Sequence, residues 1–350
     1  MNHHSSMNAR HPLQPYWEIA LASVQADALR VALEFRLFNL LAEPLPATVV
    51  AERLRLHPVN TAHLLEMLWS MRLLERQGAD AAPGDWRYRA APVARRYLDQ
   101  DSDHYCGDAW SFRLQALRHF GSQLGEQVRT GEASTAPRLV GTAANWQAAA
   151  RLQIAQEQRA ATAEAALAVV SRLPEFARAE RLLDLGGGPG LVAIALAEAN
   201  PALHGEVFDF PETIGVAEEN IARARLGERL RGRGGDLTRD PLGEGYDLIW
   251  CSSVLHFVPD LDRTLEKIHA ALRPGGVLVC AQAEIPDSPD AAREVLPYYL
   301  SMRMLGRQVT RAGGLCRALG RAGFTALETL REVPFPMTPV TAVIGRRSQR

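Results

Sequence analysis

The segment RLLDLGGGPG, residues 181–190, is a short apolar run that ends in a loop of four glycines and a proline. An apolar run of this length predicts a buried strand, and the LVAIALAEA that follows at 191–199 predicts a helix. Gly186, Gly188 and Gly190 permit a tight turn between the two and let a ligand approach the backbone closely. N–H groups at the start of the helix face the same loop. The segment therefore predicts a strand–loop–helix ligand site.

The glycine loop does not fit a dinucleotide fingerprint. In G-x-G-x-x-G/A counted from Gly186, the last position is Leu191, so the small residue that lets helix and strand pack closely is missing. What remains is an acidic residue near the strand end, Asp184, followed by G-x-G-x-G. This order is similar to that of methyltransferases that use S-adenosylmethionine (SAM).

Strand and helix patterns alternate through the second half of the chain. After the glycine loop, strands are predicted at GEVFDF (205–210), RLRGRGGDL (229–237), YDLIWCSSVLHF (246–257) and VLVCAQAEI (277–285), with helices between them. Such alternation predicts a parallel, doubly wound sheet. Two last strand patterns, FTALETL (324–330) and TAVIGRR (341–347), predict an antiparallel C-terminal edge. We therefore expect an α/β, Rossmann-like fold here.

Two further acidic residues end neighbouring strands of this sheet. Asp209 lies 19 residues after Gly190, where a carboxylate can accept both ribose hydroxyls of an adenosine. Asp236 follows the third strand and can accept the adenine amino group, with Leu237 packing on the ring. Carboxyl ends of parallel strands meet at one edge, so Asp184, Asp209 and Asp236 predict one crevice.

The first hundred residues carry helical patterns instead. Three helices and a hairpin around Pro83-Gly84-Asp85 give the order of a winged helix, a fold that often binds DNA. The third helix carries Leu64, Leu65, Leu68 and Trp69 and is too apolar for a major groove. A formal net charge of −1 also disfavours nucleic-acid binding. Burial in a core or against a second subunit is the better interpretation.

The composition excludes several classes of chemistry. Lys267 is the only lysine, which excludes most lysine mechanisms, such as a P-loop. The four cysteines are far apart in the sequence and predict neither a zinc site nor a disulfide framework; no metal is expected. No apolar stretch is long enough to span a membrane, and no secretory leader is recognised. A cytoplasmic location is expected.

A reacting site is predicted where the fourth and fifth strands end. His256 follows the fourth strand and faces the expected crevice, where a neutral imidazole can take a hydroxyl proton. Glu284 ends the fifth strand and can hold the other ring nitrogen of His256.

From the N-terminal region to the last strand, the chain resembles the small-molecule O-methyltransferases of the plant caffeate and flavonoid type and their bacterial secondary-metabolite relatives. The motifs that carry this resemblance are LLDLGGGPG, FDFPETI, GGDL, LHFVPD, ALRPGG, AEIP and TAVIGRR. The resemblance implies SAM as cofactor, with S-adenosylhomocysteine as product, and a homodimer formed through the winged helix. It also implies a small aromatic acceptor, with no nucleic-acid or membrane partner.

The resemblance assigns roles residue by residue. His256 matches the family's base, Glu284 its flanking acid, Asp209 its ribose ligand and Asp236 its adenine ligand. We expect a cofactor site of the following residues: Asp184, Gly186, Gly188, Gly190, Asp209, Phe210, Asp236, Leu237 and Ser252. Four parts are expected along the chain: a disordered tail (1–14), a winged-helix dimerisation domain (15–100), a helical connector that contributes to the substrate pocket (101–172) and a catalytic domain (173–350).

Two departures from the family bear on the mechanism. Ser252 stands where many members have a lysine, and the region Thr310 to Leu315 lacks the second acid that usually flanks the histidine. With support from one side only, catalysis can rest on proximity and orientation alone.

The acceptor pocket is expected to involve Trp146, Tyr299, Met302 and Arg303. Further candidates are Tyr298, Met304, His119 and Phe120. Of the two methionines, only one can face the pocket from a helix. Three alternatives stay open: methyl transfer to nitrogen or carbon, a SAM-binding relative without methyl transfer, and a ligand-responsive transcription factor.

Overall fold

A computed structural model describes residues 10–78, 86–132 and 143–349. The predicted turn at Pro83-Gly84-Asp85 and most of the predicted N-terminal tail lie outside the described residues. The chain divides into two compact units, Met1–Gly107 and Asp108–Arg350. The finer four-part division stays a prediction.

The first unit combines helices with a small antiparallel sheet, in the order expected for a winged helix. Its three strands are arranged β1-β3-β2. The elements are α1 (Gln14–Glu34), α2 (Leu37–Leu40), β1 (Leu45–Pro46), α3 (Ala47–Leu54), α4 (Pro58–Ser70), β2 (Leu74–Gln77), β3 (Arg87–Ala90) and α5 (Pro92–Tyr97).

Helix α4 is the predicted third helix, and it buries Leu65 and Leu68 completely. The N-cap of the helix is the residue before Pro58. His57 takes that position, and its ring nitrogen accepts a hydrogen bond from Asn60 N at 3.3 Å.

Helix α1 packs only its second half within its own unit. Ala28, Ala32 and Leu33 are buried. The first half is exposed although it is apolar, as the following side chains show: Tyr16, Trp17, Ile19, Leu21 and Val24.

The second unit is built on a seven-stranded sheet in the order β6-β5-β4-β7-β8-β10-β9. Its strands are β4 (Arg181–Leu185), β5 (His204–Asp209), β6 (Leu230–Gly234), β7 (Tyr246–Ser252), β8 (Leu272–Gln282), β9 (Thr325–Val333) and β10 (Val340–Arg346). β4 to β8 are parallel, while β10 pairs antiparallel with both β8 and β9. The predicted doubly wound sheet with an antiparallel edge is confirmed.

Helices cover both faces of this sheet, since strands such as β4 and β7 are buried almost throughout and need apolar cover on each side. The helices are α6 (Gly107–Thr130), α7 (Ala143–Ala149), α8 (Ala155–Glu157), α9 (Ala163–Val170), α10 (Leu191–Ala199), α11 (Pro211–Arg223), α12 (Leu261–Ala271), α13 (Pro289–Met304) and α14 (Gly314–Arg321). Among the described helices, none has the length and apolar character that crossing a bilayer requires.

The predicted helical connector contains two wider turns. π-helical turns at Ala150–Ile154 and Gln158–Thr162 separate α7, α8 and α9. A π-turn inserts an extra residue into a helical turn and so changes which side chains face inward, a feature frequent at functional sites. No glycine or proline marks these turns in the sequence.

Candidate active site

A cavity of about 510 Å³ lies at the carboxyl edge of the parallel strands in the second unit. The strand order reverses between β4 and β7, and ligands of doubly wound sheets bind at such a switch point. Of the predicted cofactor residues, the cavity is lined by Gly186, Gly188, Asp209, Phe210, Asp236, Leu237 and Ser252. The predicted crevice is therefore present, and it brings together residues that follow or end the strands β4, β5, β6 and β7.

The glycine loop leaves β4 and turns back sharply towards β5. Gly186 has φ of +68° and Gly188 has φ of +57°, a region that favours glycine. Gly186 N donates to Phe208 O at 2.7 Å, which ties the loop to the neighbouring strand. At Gly188 a side chain would project next to Ile154, which also lines the cavity. Glycine therefore keeps this part of the cavity open.

Asp209 forms part of the cavity wall and is held by two backbone groups. Gly188 N donates to its Oδ2 at 2.9 Å, and Phe210 N donates to its Oδ1 at 2.7 Å. Burial raises the pKa of Asp209 to about 6. The carboxylate is thus oriented and ionised near neutral pH, and Phe210 beside it exposes 37% of its surface.

Asp236 begins a tight turn after β6. Its Oδ1 accepts from both N and Oγ1 of Thr238, at 2.8 and 2.7 Å. Burial by itself raises its pKa, but these bonds and the charges of Arg239 and Lys267 bring the pKa below its usual value. Lys267 also donates to Leu237 O at 2.8 Å. The only lysine therefore supports the loop of Asp236, a role that its position in the sequence did not indicate.

Two residues of the predicted cofactor site lie behind the cavity wall. Asp184 is buried under the glycine loop, and Gly190 begins α10, where an added side chain would press on Ala217. Burial raises the pKa of Asp184 to about 7. Both residues shape the loop, and neither lines the cavity.

His256 is buried in a short 3₁₀ turn after β7 and lines the cavity. Its ring lies 4.1 Å from the ring of Phe257, and neither ring nitrogen has a hydrogen-bond partner within the described ranges. Burial and the charge of Arg307 lower the pKa of His256 to about 3. The imidazole is therefore neutral at physiological pH and is free to contact a ligand.

Glu284 does not hold His256, which corrects the expectation from the sequence. Its Oε1 accepts from Leu315 N at 2.8 Å and its Oε2 from Gly313 N at 3.2 Å. Both donors belong to the start of α14, where Gly313 adopts φ of +71°. The region that lacks the second acid offers backbone N–H groups instead, and they occupy the Glu284 carboxylate.

Helix α13 presents a face different from the one expected. The residues of α13 that line the cavity share one face of the helix, since each lies three or four residues from another: Tyr298, Ser301, Met302 and Leu305. The expected pocket residue Tyr299 points elsewhere: it is buried, and its hydroxyl donates to Ala283 O at 2.8 Å.

Arg303, the other pocket residue expected on this helix, has an exposed side chain that does not line the cavity. Met302 lines the cavity and Met304 does not, in agreement with the helical spacing. Arg307, just beyond the helix, lines the cavity and was missed in the sequence, since no periodic pattern continues past Leu305.

Helix α6 and the turns around α8 provide the opposite wall. Trp146, His119 and Phe120 line it as predicted, and the Trp146 ring packs edge-on against Phe257 with centroids 5.0 Å apart. A row at helical spacing, His119, Gln123 and Gln127, adds polar groups. This wall therefore combines aromatic rings with amides.

A charged pair stands in the same wall. Arg113 donates to Glu157 through Nε at 2.7 Å and through an Nη at 2.9 Å, a two-point contact that fixes both side chains. Gln153 Nε2 also donates to Glu157, at 3.1 Å. The Arg113 and Glu157 charges thus compensate each other.

Gln158 joins the helical wall to the glycine loop. Its Nε2 donates to Gly187 O at 3.1 Å, and its Oε1 accepts from Leu191 N at 3.0 Å. The side chain is buried and starts the second π-turn. One amide thus holds both sides of the loop. A glutamine inside a long helical pattern gave no signal of this role.

Both parts of the chain are similar to known proteins. Residues 17–100 match the model of an O-methyltransferase dimerisation domain, and residues 155–329 match a methyltransferase domain. The 8-O-methyltransferase TcmO of tetracenomycin polyketide synthesis from Streptomyces glaucescens is 30% identical over 338 residues, covering 94% of this chain and 95% of that protein. The N,N-dimethyltransferase OxyT of Streptomyces rimosus is 32% identical over 269 residues, covering 75% and 76%.

A solved structure supports the same fold. Human N-acetylserotonin methyltransferase in complex with SAM aligns with a TM-score of 0.76 at 21% identity, covering 98% of this chain and 99% of that one. The matches to the two domain models, the near full-length similarity to TcmO and the cavity at the switch point agree with one another. The chain belongs to the SAM-dependent O-methyltransferases that carry an N-terminal dimerisation domain.

Proposed function

We propose that this enzyme methylates a hydroxyl group of a small, flat aromatic or polyketide-like metabolite. The observation that carries the proposal is one cavity that joins cofactor-type strand ends to a wall of aromatic rings and amides. Its volume of about 510 Å³ is that of a small-molecule site. Rings favour a flat apolar body, and the amides of Gln123 and Gln127 favour oxygen substituents. The relative TcmO, named for a polyketide pathway, supports the same acceptor class.

The residues at the strand ends fit SAM. Asp209 has an oriented carboxylate for two ribose hydroxyls. In Asp236, Oδ1 is engaged by Thr238, and Oδ2, which lies 3.7 Å from Nε of the exposed Arg239, is the oxygen proposed for an amino group. Phe210 and Leu237 offer apolar surface for the adenine ring, and Gly186 and Gly188 leave space beside the backbone. SAM supplies a methyl group on a positively charged sulfur.

His256 is the group proposed to meet the acceptor hydroxyl. Its two unpartnered ring nitrogens and its place in the cavity support this role. Because its pKa is lowered to about 3, it is a weak base in the absence of ligands. It accepts a hydrogen bond and orients the hydroxyl more readily than it removes a strongly held proton. An acidic hydroxyl, such as a phenol or an enol, is therefore the best acceptor.

Methyl transfer to nitrogen is the second candidate. OxyT, an N,N-dimethyltransferase, is 32% identical to this chain. A neutral amine needs no base before it attacks, which agrees with a histidine that has no supporting carboxylate.

We also propose that the enzyme is a homodimer located in the cytoplasm. The dimerisation-domain match and the exposed apolar half of α1 support the dimer. The four cysteines are free thiols, which fits a reducing compartment.

Incubation with SAM and matched acceptors tests the function. The panel contains naphthols, the corresponding naphthylamines and the methoxynaphthalenes, and mass spectrometry detects the methylated product. We expect methyl ethers from the naphthols, and loss of product with Asp209→Asn as the matched control. N-methyl products alone would establish the second candidate, and no product from either set would contradict both.

A further inference from the structure

Among the described residues, each charged side chain that lines the cavity has an ion-pair or hydrogen-bond partner, with one exception. Arg113 is paired with Glu157. Asp209 is held by backbone N–H groups and Asp236 by Thr238. These two carboxylates stand at the strand ends, on the proposed cofactor side.

The remaining titratable groups of the cavity wall are His119, Tyr298 and His256, and none of them is a carboxylate. His119 lies 3.0 Å from the Gln123 amide. Burial raises the pKa of Tyr298, and burial with the Arg307 charge lowers that of His256, so both are neutral at physiological pH.

Arg307 is the exception. Its backbone N–H donates to Met302 O at 3.0 Å just after α13, and its guanidinium carbon stands 4.8 Å from the centre of the Phe257 ring. In the part of the chain that the structure describes, no carboxylate pairs with Arg307 and no side-chain hydrogen bond fixes it. The acceptor side of the cavity therefore carries an uncompensated positive charge.

Arg307 and His256 pack against the same ring. Phe257 lies 4.1 Å from the His256 ring and 4.8 Å from the Arg307 guanidinium. Both side chains therefore line the cavity next to Phe257, and the Arg307 charge opposes formation of an imidazolium at His256. The same charge favours an anion at that position.

We propose that Arg307 determines acceptor specificity by binding the reacting hydroxyl as an oxyanion, a phenolate or enolate, beside His256. The inference rests on the proposed function and deepens it, since it names the ionisation state in which the acceptor is bound. The hydroxyl proton leaves to solvent when the acceptor binds. In the transfer, an electron pair of the oxyanion forms the new O–C bond, the pair of the broken C–S bond stays on sulfur, and the opposite charges cancel.

This arrangement accounts for the missing second acid. An acceptor that arrives ionised needs no strong base, so His256 can do without a carboxylate partner. Guanidinium is also suited to this position, because it keeps its charge at every physiological pH and stacks on an aromatic ring.

Equilibrium binding of 2-naphthol, followed by its absorption spectrum in the presence of S-adenosylhomocysteine, tests the proposal without turnover. At a pH about two units below the pKa of free 2-naphthol, we expect the wild type to show the naphtholate band. Arg307→Gln should lose that band and bind the probe roughly 10- to 100-fold more weakly, the range for a charge-assisted contact. Arg307→Lys should restore part of both. Arg303→Gln, an exposed arginine one turn earlier that does not line the cavity, is the matched control and should match the wild type.

Two further probes separate the sources of negative charge. 2-Methoxynaphthalene cannot ionise and should bind wild type and Arg307→Gln alike. If 2-naphthoate binds in an Arg307-dependent way while 2-naphthol binds only in its neutral form, Arg307 recognises a carboxylate and the proposal is overturned. Equal binding of naphtholate by wild type and Arg307→Gln overturns it as well.

The binding assay also distinguishes this inference from the function on which it rests. Arg307-dependent naphtholate binding without any methylation of a hydroxyl would contradict the proposed function alone. Methylated naphthols with a neutral bound probe would contradict the inference alone.

Discussion

The Asp209 carboxylate combines a half-buried position in the cavity wall with a raised pKa of about 6. The direction follows from burial, which favours the neutral acid although Phe210 N and Gly188 N donate to the anion. Above about pH 6 the group is ionised and can accept two ribose hydroxyls; as the pH falls below this value, it becomes protonated and that acceptor capacity decreases.

We therefore predict that affinity for S-adenosylhomocysteine falls with acidity. Calorimetry should give a Kd about tenfold higher at pH 5 than at pH 7.5, as expected when only the ionised form binds. Asp209→Asn should bind weakly at both pH values, with little difference between them. Asp236→Asn is the control: the pKa of Asp236 is lowered, so its removal should leave the pH dependence in place. A wild-type affinity that is constant across this range would contradict the assignment.

The position of a residue at the sheet could be predicted where that position depends on its neighbours in the sequence. Asp209 ends an apolar strand pattern and Asp236 follows the next predicted strand along the chain, so their place at the carboxyl edge could be inferred. The partner of Glu284 could not, because it depends on how the turn at Gly313 presents backbone N–H groups to a strand 29 residues earlier. Arg307 was missed for a similar reason, since it follows a helix end and belongs to no repeated pattern.

At the scale of the elements, helix α14 depends on a carboxylate outside it. Glu284 accepts from Gly313 N and Leu315 N, and no residue of α14 caps the helix with its own side chain. An acceptor at the first turn satisfies N–H groups that have no partner within the helix, and a negative charge there is favourable.

We predict that Glu284→Gln lowers stability and leaves turnover nearly unchanged. The amide keeps one acceptor and loses the charge, which should cost roughly 1–3 kcal/mol in the free energy of unfolding. Thermal melts and kcat measured on folded enzyme test this, with the exposed Glu294→Gln on α13 as control. An unchanged melt together with a large loss of kcat would show that Glu284 acts on His256, contrary to the structure.

The sequence predicted whether an element is a helix or a strand better than it predicted irregular turns or the face that an element presents. Apolar runs and glycine turns predicted the strands, because burial on both faces leaves a continuous pattern. The π-turns of the connecting helix were not predictable, since Ala150–Ile154 has an ordinary helical composition. The face of α13 depends on which side meets the sheet, and the hydrogen bond from Tyr299 to Ala283 O places that tyrosine there instead of in the cavity.

At the scale of the whole molecule, the exposed half of α1 implies a second copy of the chain. Trp17 is 63% and Ile19 72% exposed, among several apolar neighbours. Each such side chain gains about 1.5–3 kcal/mol when fully buried. A monomer that leaves this surface in water gives up that stabilisation.

We expect light scattering to give the mass of two chains at micromolar concentration. The double substitution Trp17→Glu and Ile19→Glu should give a monomer, because two charges cannot be buried unpaired. Arg53→Glu, at an exposed position of α3, should leave the mass unchanged. A monomeric wild type at this concentration would contradict the dimer.

The single lysine makes it possible to attach a fluorescent label close to the cavity. Apart from the α-amino group of the chain, Lys267 Nζ is the only aliphatic amine, and it donates to Leu237 O beneath the cavity wall. Lys267 is half-buried. An amine-reactive fluorophore can therefore attach at two sites at most, Lys267 Nζ and the α-amino group. A dye on Nζ sits behind the loop that carries Asp236, and its emission can report on ligand binding at that loop without any engineered cysteine.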